Sequence, residues 1–400
     1  MGSVAILALL VADCASLPPP TPPATIPTPT PSAPPAPVSV PPVSEPPSQA
    51  PAPEPLPVPQ QASTRRLRII AVGDIMLGGS AAPEMAKFGY DHPFADVRSV
   101  LRNADVVFAN LEGPLTDAGH PESDKRYIFR SPPSKVGPAL AAAGFNVVSL
   151  ANNHTMDYGI EGLQHTLSAL TAVGIKHAGA GMDLEQAREP ALISVGDQTV
   201  AVLAYSLTFP ESFWARAGSA GTAFGHEHHV RADVQAARER ADIVMVSFHW
   251  GREGTTELRD YQPRLGRAAI DAGATVVLGH HPHILQGIER YKHGIIFYSL
   301  GNFAFGSYSR IAQRSIIAEL DIEDARLTRV RLVPLNVNNV EVVFQPRRLA
   351  SADAESLVTE LRELSAPLQT QIVLDNDLGE VVLSDVPLRS SKHASGRREE

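Results

Sequence analysis

The sequence predicts an α/β fold, a mixed β-sheet in two layers flanked by helices, and three observations predict it. Short runs of β-branched and aliphatic residues recur along the chain, among them Leu67-Arg68-Ile69-Ile70-Ala71-Val72 and Thr275-Val276-Val277-Leu278, and such runs read as buried strands. Stretches between them carry apolar residues at helical spacing and stop at glycine, as Ile160, Leu163, Leu167 and Leu170 do before Gly174. The strand runs also break repeatedly at Asp, Asn or His, and α/β sheets collect their functional side chains at the carboxyl ends of strands.

Taken in order, the first strand, Leu67 to Val72, ends at Gly73-Asp74. After a loop with Met76 and Gly78-Gly79, a helix is expected over Phe94 to Asn103 and a strand over Ala104 to Asn110, which delivers Asn110-Leu111-Glu112-Gly113. Ser134 to Ala143 reads as a helix stopped by Gly144, and Phe145 to Leu150 as a strand ending in Ala151-Asn152-Asn153-His154, with Asp157 in the next loop. The helix Ile160 to Val173 leads to a short strand, Ile175 to Gly179. Ala191 to Val195 and Thr199 to Tyr205 flank Gly196-Asp197, a hairpin turn that makes the sheet mixed. A long loop, Ser206 to His229, follows; His226, His228 and His229 have no strand end behind them and read as solvated or helix-starting residues. Next come a helix over Val230 to Ala241, a strand over Asp242 to Phe248 ending in His249-Trp250-Gly251 with Glu253 beyond, and a helix over Asp260 to Ala272.

The strand that begins near Ala274 stops at Gly279-His280-His281-Pro282-His283. Three imidazoles at the mouth of a buried strand have no packing reason to be there, and imidazole is the commonest ligand of divalent transition metals. Pro282 is expected to keep the turn extended, so that His281 and His283 aim into one cleft. Strands over Ile284 to Glu289 and Gly294 to Leu300 follow, the latter ending in Gly301-Asn302-Phe303. Strands over Ser315 to Ile322, Leu327 to Leu335 and Val340 to Phe344 read as a second sheet layer; a helix, Ala354 to Leu364, and edge strands Ile372 to Leu374 and Glu380 to Leu383 complete the chain.

Upstream of this, 20 of the 35 prolines fall between Pro18 and Pro59. Such a stretch buries too little apolar surface to order itself and reads as an extended linker, on the order of 140 Å long if polyproline-like. The expected organisation is a signal-like segment over 1–16, the linker over 17–64, the main domain over 65–345, a C-terminal helix with edge strands over 346–388, and a polar tail over 389–400. A net charge of -9 with scattered Lys and Arg argues against nucleic acid as a partner. The apolar run Val4 to Ala12 fits the core of an export signal. Leu10-Val11-Ala12-Asp13-Cys14 resembles a bacterial lipoprotein signal, in which the cysteine is lipidated, with Asp13 where that pattern has a small residue. The expectation is an exported protein anchored to the membrane through Cys14, the alternative being a secreted or periplasmic one. Cys14 is also the single cysteine, which excludes an intramolecular disulfide.

Collected together, the strand-end residues are Asp74, Glu112, Asn153, His154, His249, His281 and His283, with Asn110, Asn152, Asp157, Glu253, His280 and Asn302 beside them. Carboxylates, an amide oxygen and several imidazoles form the mixed donor set that holds one or two Mn, Fe or Zn ions. His-x-His spacing favours His281 and His283 as ligands, with His280 left open against His281.

At these residues the chain resembles the capsule and poly-γ-glutamate biosynthesis family, CapA, which has a calcineurin-like metallophosphoesterase fold. The stretches that carry the resemblance are Gly73-Asp74-Ile75-Met76-Leu77-Gly78, Asn110-Leu111-Glu112-Gly113-Pro114-Leu115, Ala151-Asn152-Asn153-His154, His249-Trp250-Gly251, Gly279-His280-His281-Pro282-His283 and Tyr298-Ser299-Leu300-Gly301-Asn302-Phe303. The resemblance implies Asp74 and His283 as ligands of a first metal, Glu112 in the bridging place, and Asn153, His249 and His281 at a second. His154 would be the non-ligand histidine that protonates a leaving oxygen. The phosphoesterases have a histidine two residues after the first aspartate, where this chain has Met76, a poor ligand for hard ions, so a weakened first site is expected. The resemblance further implies metal-dependent hydrolase chemistry, an anionic cell-surface polymer as the biological object and membrane synthase subunits as partners. A non-enzymatic polymer-binding or scaffold role is the alternative.

Overall fold

The structure, a computed structural model, describes residues 65–383. The signal-like segment with Cys14, the linker over 17–64 and the tail over 389–400 lie outside the described residues. In chain order the first half contains β1 (Arg66–Met76), α1 (Ala82–Phe88), α2 (Arg98–Leu101), β2 (Val106–Leu111), α3 (Pro133–Ala143), β3 (Val147–Ser149), α4 (Gly159–Ala172), β4 (Lys176–Ala178), β5 (Ala180–Gly181), α5 (Leu184–Arg188), β6 (Ala191–Val195), β7 (Gln198–Ser206) and β8 (Gly221–Thr222). The second half contains α6 (Glu227–Arg238), β9 (Ile243–His249), α7 (Tyr261–Ala272), β10 (Val276–His280), β11 (Ile288–Tyr291), β12 (Gly294–Phe297), β13 (Asn302–Phe305), β14 (Arg314–Glu323), β15 (Arg326–Asn336), α8 (Asn339–Val342), β16 (Arg347–Arg348), α9 (Ser351–Ser365), β17 (Ile372–Asp375) and β18 (Leu378–Val381). Among the described residues no helix is long and apolar enough to cross a membrane.

These strands form two large mixed sheets. The first has the order β17-β18-β15-β14-β1-β2-β3-β4, with β13 added to β1 and β16 to β15; the second has the order β11-β12-β10-β9-β7-β6. β1 to β4 run parallel, as do β7, β9, β10 and β12 in the other sheet. Alternation along β1 shows how the layers are built. Ile69 and Ala71 pack with Phe108, Met245, Leu278 and Ile316 between the sheets. Ile70 and Val72 point the other way, onto Leu140 of α3 and Leu163 of α4. On the far face of the second sheet, Val244, Val246 and Phe248 meet Val230 and Val234 of α6 and Leu265 and Ile270 of α7. Two sheets thus face each other across one core, each covered by helices on its outside, which is the layered solution open to strands that are apolar on both faces.

Two glycines let the backbones close on the functional rim. A Cβ on Gly73 would lie 1.9 Å from the Gly301 carbonyl oxygen, and one on Gly279 2.0 Å from that of Tyr298. With glycine at position 73, the Asp74 N–H donates to the Gly301 carbonyl at 3.0 Å, and this draws the start of β13 onto β1.

Several expectations are corrected. β14 and β15, expected in a second layer, extend the first sheet, β14 antiparallel to β1 and β15 antiparallel to β14; the second layer is built from the β6–β7 hairpin, β9, β10, β11 and β12. Val340 to Phe344 is not a strand, because the Asn338 side chain accepts the Val340 N–H and starts the turn of α8. The helix expected from Phe94 is confined to α2 after a short 3-10 turn over His92–Phe94, and Ile284 to Gln286 precedes β11 instead of belonging to it. β1 continues to Met76, with register shifts against β2 and β13 near Asp74, so Asp74 sits inside the strand at an irregularity that re-aims its side chain. Asn302 starts β13 where a strand end was expected. His281 and His283 have φ of 93° and 61°, so the chain around Pro282 turns left-handed on both sides and is not extended. Non-glycine residues in that region carry strain that surrounding contacts must hold, and such strain gathers at functional sites.

Candidate metal centre

The first sheet delivers Asp74 from β1, Asn110 from β2 and Asn302 from β13, which are paired neighbours in register. The second delivers His249 and His280, paired neighbours at the ends of β9 and β10. The loops that follow add Glu112, Asn153, His281 and His283, so residues over 200 positions apart meet at one rim.

Their ligand atoms fall into three overlapping groups, each within 4.8 Å: Asp74, Glu112 and His283; Glu112, His249 and His281; and Glu253, His281 and His283. Glu112 is common to the first two. Asn153 joins the second through its Oδ1, 2.8 Å from His249 Nε2. The supporting residues lock this arrangement. The Asn110 amide donates to Asp74 Oδ1 at 2.9 Å and lies 3.3 Å from His249 Nδ1, while Asn152 donates to Asn110 Oδ1 at 3.1 Å and to the Leu111 carbonyl at 2.8 Å. His283 Nδ1 sits 2.9 Å from Asn302 Oδ1 and 3.3 Å from Asp74 Oδ2. His280 falls outside all three groups; its Nδ1 lies 3.0 Å from Asp74 Oδ1, which makes it an orienting neighbour of that carboxylate.

Electrostatics divides the cluster. Burial opposes ionisation of Asp74, but hydrogen bonds from His280 and His283 outweigh it and hold the carboxyl well below its usual range. Burial likewise opposes a charge on His283, and the facing Glu112 and Asp74 overcome it, raising the imidazole to about 10. For Glu112 burial wins, reinforced by Asp74 and Glu253 against His283, and its carboxyl is pushed well above the ordinary value. Burial, with repulsion from His281, pushes His249 well down, and burial, with repulsion from His283, pushes His281 to about 3. The centre thus pairs groups on which charge is disfavoured, Glu112, His249 and His281, with an Asp74–His283 pair on which it is favoured.

The donor set fits a divalent cation. Glu112 Oε1 and His281 Nδ1 are buried with no hydrogen-bond partner, although they belong to the same group. An unpaired carboxyl oxygen and imidazole nitrogen are costly in a protein interior, and a cation held by this group would satisfy both.

Beside the cluster lies a second unit. His154 Nδ1 is 2.7 Å from Asp157 Oδ2, and the fully buried Asp157 also accepts the Phe129 N–H at 2.8 Å. This bond places the Nδ1 proton toward Asp157 and leaves Nε2 to take up or release a proton. Burial outweighs the pull of Asp157 and lowers the His154 pKa from its ordinary value. Lys125 was not anticipated from the sequence: its Nζ bonds Asp157 Oδ1 and the Asn153 carbonyl, close to His154 Nδ1. It comes from an irregular loop with no periodicity to mark it. Phe129, from the same loop, and Phe305, at the end of β13, also went unread; their rings lie 4.5 Å from His154 and 4.8 Å from His283. Met76 is buried with its sulfur accepting the Gly78 N–H at 3.2 Å, and it belongs to none of the three groups. His226 precedes α6 and His228 and His229 lie in its first turn, as expected of helix-starting residues.

Fold and site together define a two-layered α/β protein with His, Glu and Asp groups positioned for a metal ion. A sequence model of the family described as bacterial capsule synthesis protein PGA_cap matches residues 68–307, and the chain belongs to that family. It is 32% identical over 278 residues to the capsule biosynthesis protein CapA of Bacillus anthracis, covering 68% of each chain. It is 31% identical over 292 residues to the PGA biosynthesis protein CapA of Bacillus subtilis (strain 168), covering 72% of this chain and 76% of that one. Among solved structures, the calcineurin-like phosphoesterase YfkN of Bacillus subtilis aligns with a TM-score of 0.40 at 14% identity, over 66% of this chain and 88% of that one.

Proposed function

We propose that this chain is an exported metal-binding protein of capsule or poly-γ-glutamate synthesis that hydrolyses bonds of the polymer or of a precursor. The observation that carries the reading is the pair of unpartnered buried donors, Glu112 Oε1 and His281 Nδ1, next to a His154–Asp157 pair that takes no part in the ligand groups. Membership of the PGA_cap family and likeness to relatives named for capsule and PGA biosynthesis support the polymer context.

Asp74, Glu112, Asn153, His249, His281 and His283 would hold one or two Mn, Fe or Zn ions. A cation bound there polarises a phosphoryl or acyl oxygen and acidifies a water it binds. Asp157 holds the His154 ring by Nδ1, and Nε2 would take up the proton that the attacking water loses and hand it to the departing oxygen or nitrogen. Phe129 and Phe305 keep water from two sides of the imidazoles.

The test is the full chain stripped with a chelator, reloaded with Mn²⁺ or Zn²⁺, and offered phosphoesters and γ-glutamyl oligomers. Cation-dependent cleavage that returns to background with chelator is expected. If the loaded protein cleaves neither class, the hydrolase reading fails. The non-enzymatic alternative, polymer binding or scaffolding of a membrane synthase, then takes its place, and the engagement of Met76 with Gly78 in place of a ligand is the observation that favours it.

Export and anchoring rest on the Val4 to Ala12 run, Cys14 and the proline-rich stretch behind them. Cys14→Ser is expected to move the protein from the membrane to the soluble fraction; unchanged fractionation would remove the anchor.

A further inference from the structure

The third group, Glu253 with His281 and His283, differs from the other two in that its carboxylate is exposed and comes from the loop after β9. That loop is tied to the histidine turn. The Gly254 N–H donates to the Pro282 carbonyl at 2.9 Å, so the residue following Glu253 is fastened between the two imidazoles. At the other end of the loop, the Gly251 N–H donates to the Tyr261 hydroxyl at 2.8 Å. Positive φ at Gly251 and Gly254, 87° and 67°, bends the segment back toward the cluster. On the imidazole side, His281 Nδ1 is buried with no partner. The three ligand atoms lie within 4.8 Å of one another. Neighbouring ligands of a tetrahedral ion with bonds of about 2.1 Å stand roughly 3.4 Å apart, so a small inward movement of an exposed side chain completes the geometry. Met76 meanwhile spends its sulfur on the Gly78 amide and supplies no donor.

We propose that Glu253 is itself a metal ligand, an outer carboxylate on the solvent side of an ion held by His281 and His283. A carboxylate in this role selects a hard or borderline divalent cation, which methionine would not. The proposal rests on reading the cluster as a metal centre and is independent of whether the protein hydrolyses anything.

The experiment measures binding of Mn²⁺ alone, and separately Zn²⁺ alone, to the chelator-stripped full chain by calorimetry, with metal counted after gel filtration. Glu253→Gln keeps the size of an exposed side chain and is expected to leave thermal unfolding of the cation-free protein unchanged. It should weaken at least one binding step by tenfold or more, since even loss of a group that only orients a ligand costs about 10–100-fold. Met76→Leu should bind as the wild type does. Wild-type binding by Glu253→Gln overturns the proposal and spares the metal centre, whereas a wild-type chain that takes up neither cation overturns both.

Discussion

His281→Ala is expected to yield a folded protein that neither retains a cation nor turns over any metal-dependent substrate. His281 contributes to two of the three ligand groups, and its unpartnered Nδ1 is one of the two buried atoms that a cation would satisfy. Removing it leaves Glu112 and His249 without their third partner and Glu253 and His283 without theirs. The loss in affinity should exceed the about 10–100-fold that follows removal of groups which only orient ligands. Metal content after gel filtration and the shift of thermal unfolding on adding Mn²⁺ or Zn²⁺ measure it. Because alanine at φ of 93° keeps the strain of the turn while losing the ring, unfolding of the cation-free variant must be compared with that of the wild type. Wild-type metal content in a correctly folded variant would show that the cluster is not the binding site.

The second large effect separates chemistry from scaffolding. His154→Ala should lower turnover by roughly 10²- to 10⁴-fold, the usual share of a positioned acid or base, while leaving metal content nearly intact. The structure gives a reason to expect a folded variant. Asp157 keeps Lys125 and the Phe129 N–H as partners when the imidazole is gone, so no buried charge is stranded. If polymer production in cells survives His154→Ala and fails with His281→Ala, the cation serves binding or structure, and the hydrolytic reading gives way to the scaffold.

Much of the site was legible because its signals are local. Apolar runs over 67–72, 104–110, 145–150 and 242–248 end near Asp74, Glu112, Asn153 and His249, and a strand of the right polarity brings its end to a rim whatever its neighbours are. The helices over 134–143, 160–173 and 260–272 were equally plain, since a 3.6-residue stripe and a terminal glycine need no partner to be read.

Pairing and aim were not legible. The strands over Ser315 to Leu335 read from sequence as part of a second layer, and only the pairing of β14 with β1 assigns them to the first sheet. The spacing of His280, His281 and His283 cannot say which ring turns where. The left-handed turns at His281 and His283, fastened by Asp74, Asn302 and the Glu253 loop, direct those two rings to the cluster and leave His280 against Asp74. Lys125 reaches Asp157 and His154 from a loop that obeys no period, and Met76 is taken from the donor set by an amide two residues away. The sequence by itself determined which residue types arrive at the rim, because periodicity and chain breaks are properties of neighbours along the chain. The tertiary structure decided which of their atoms face one another, because side-chain direction is set by strand register, backbone handedness and hydrogen bonds between segments far apart in sequence.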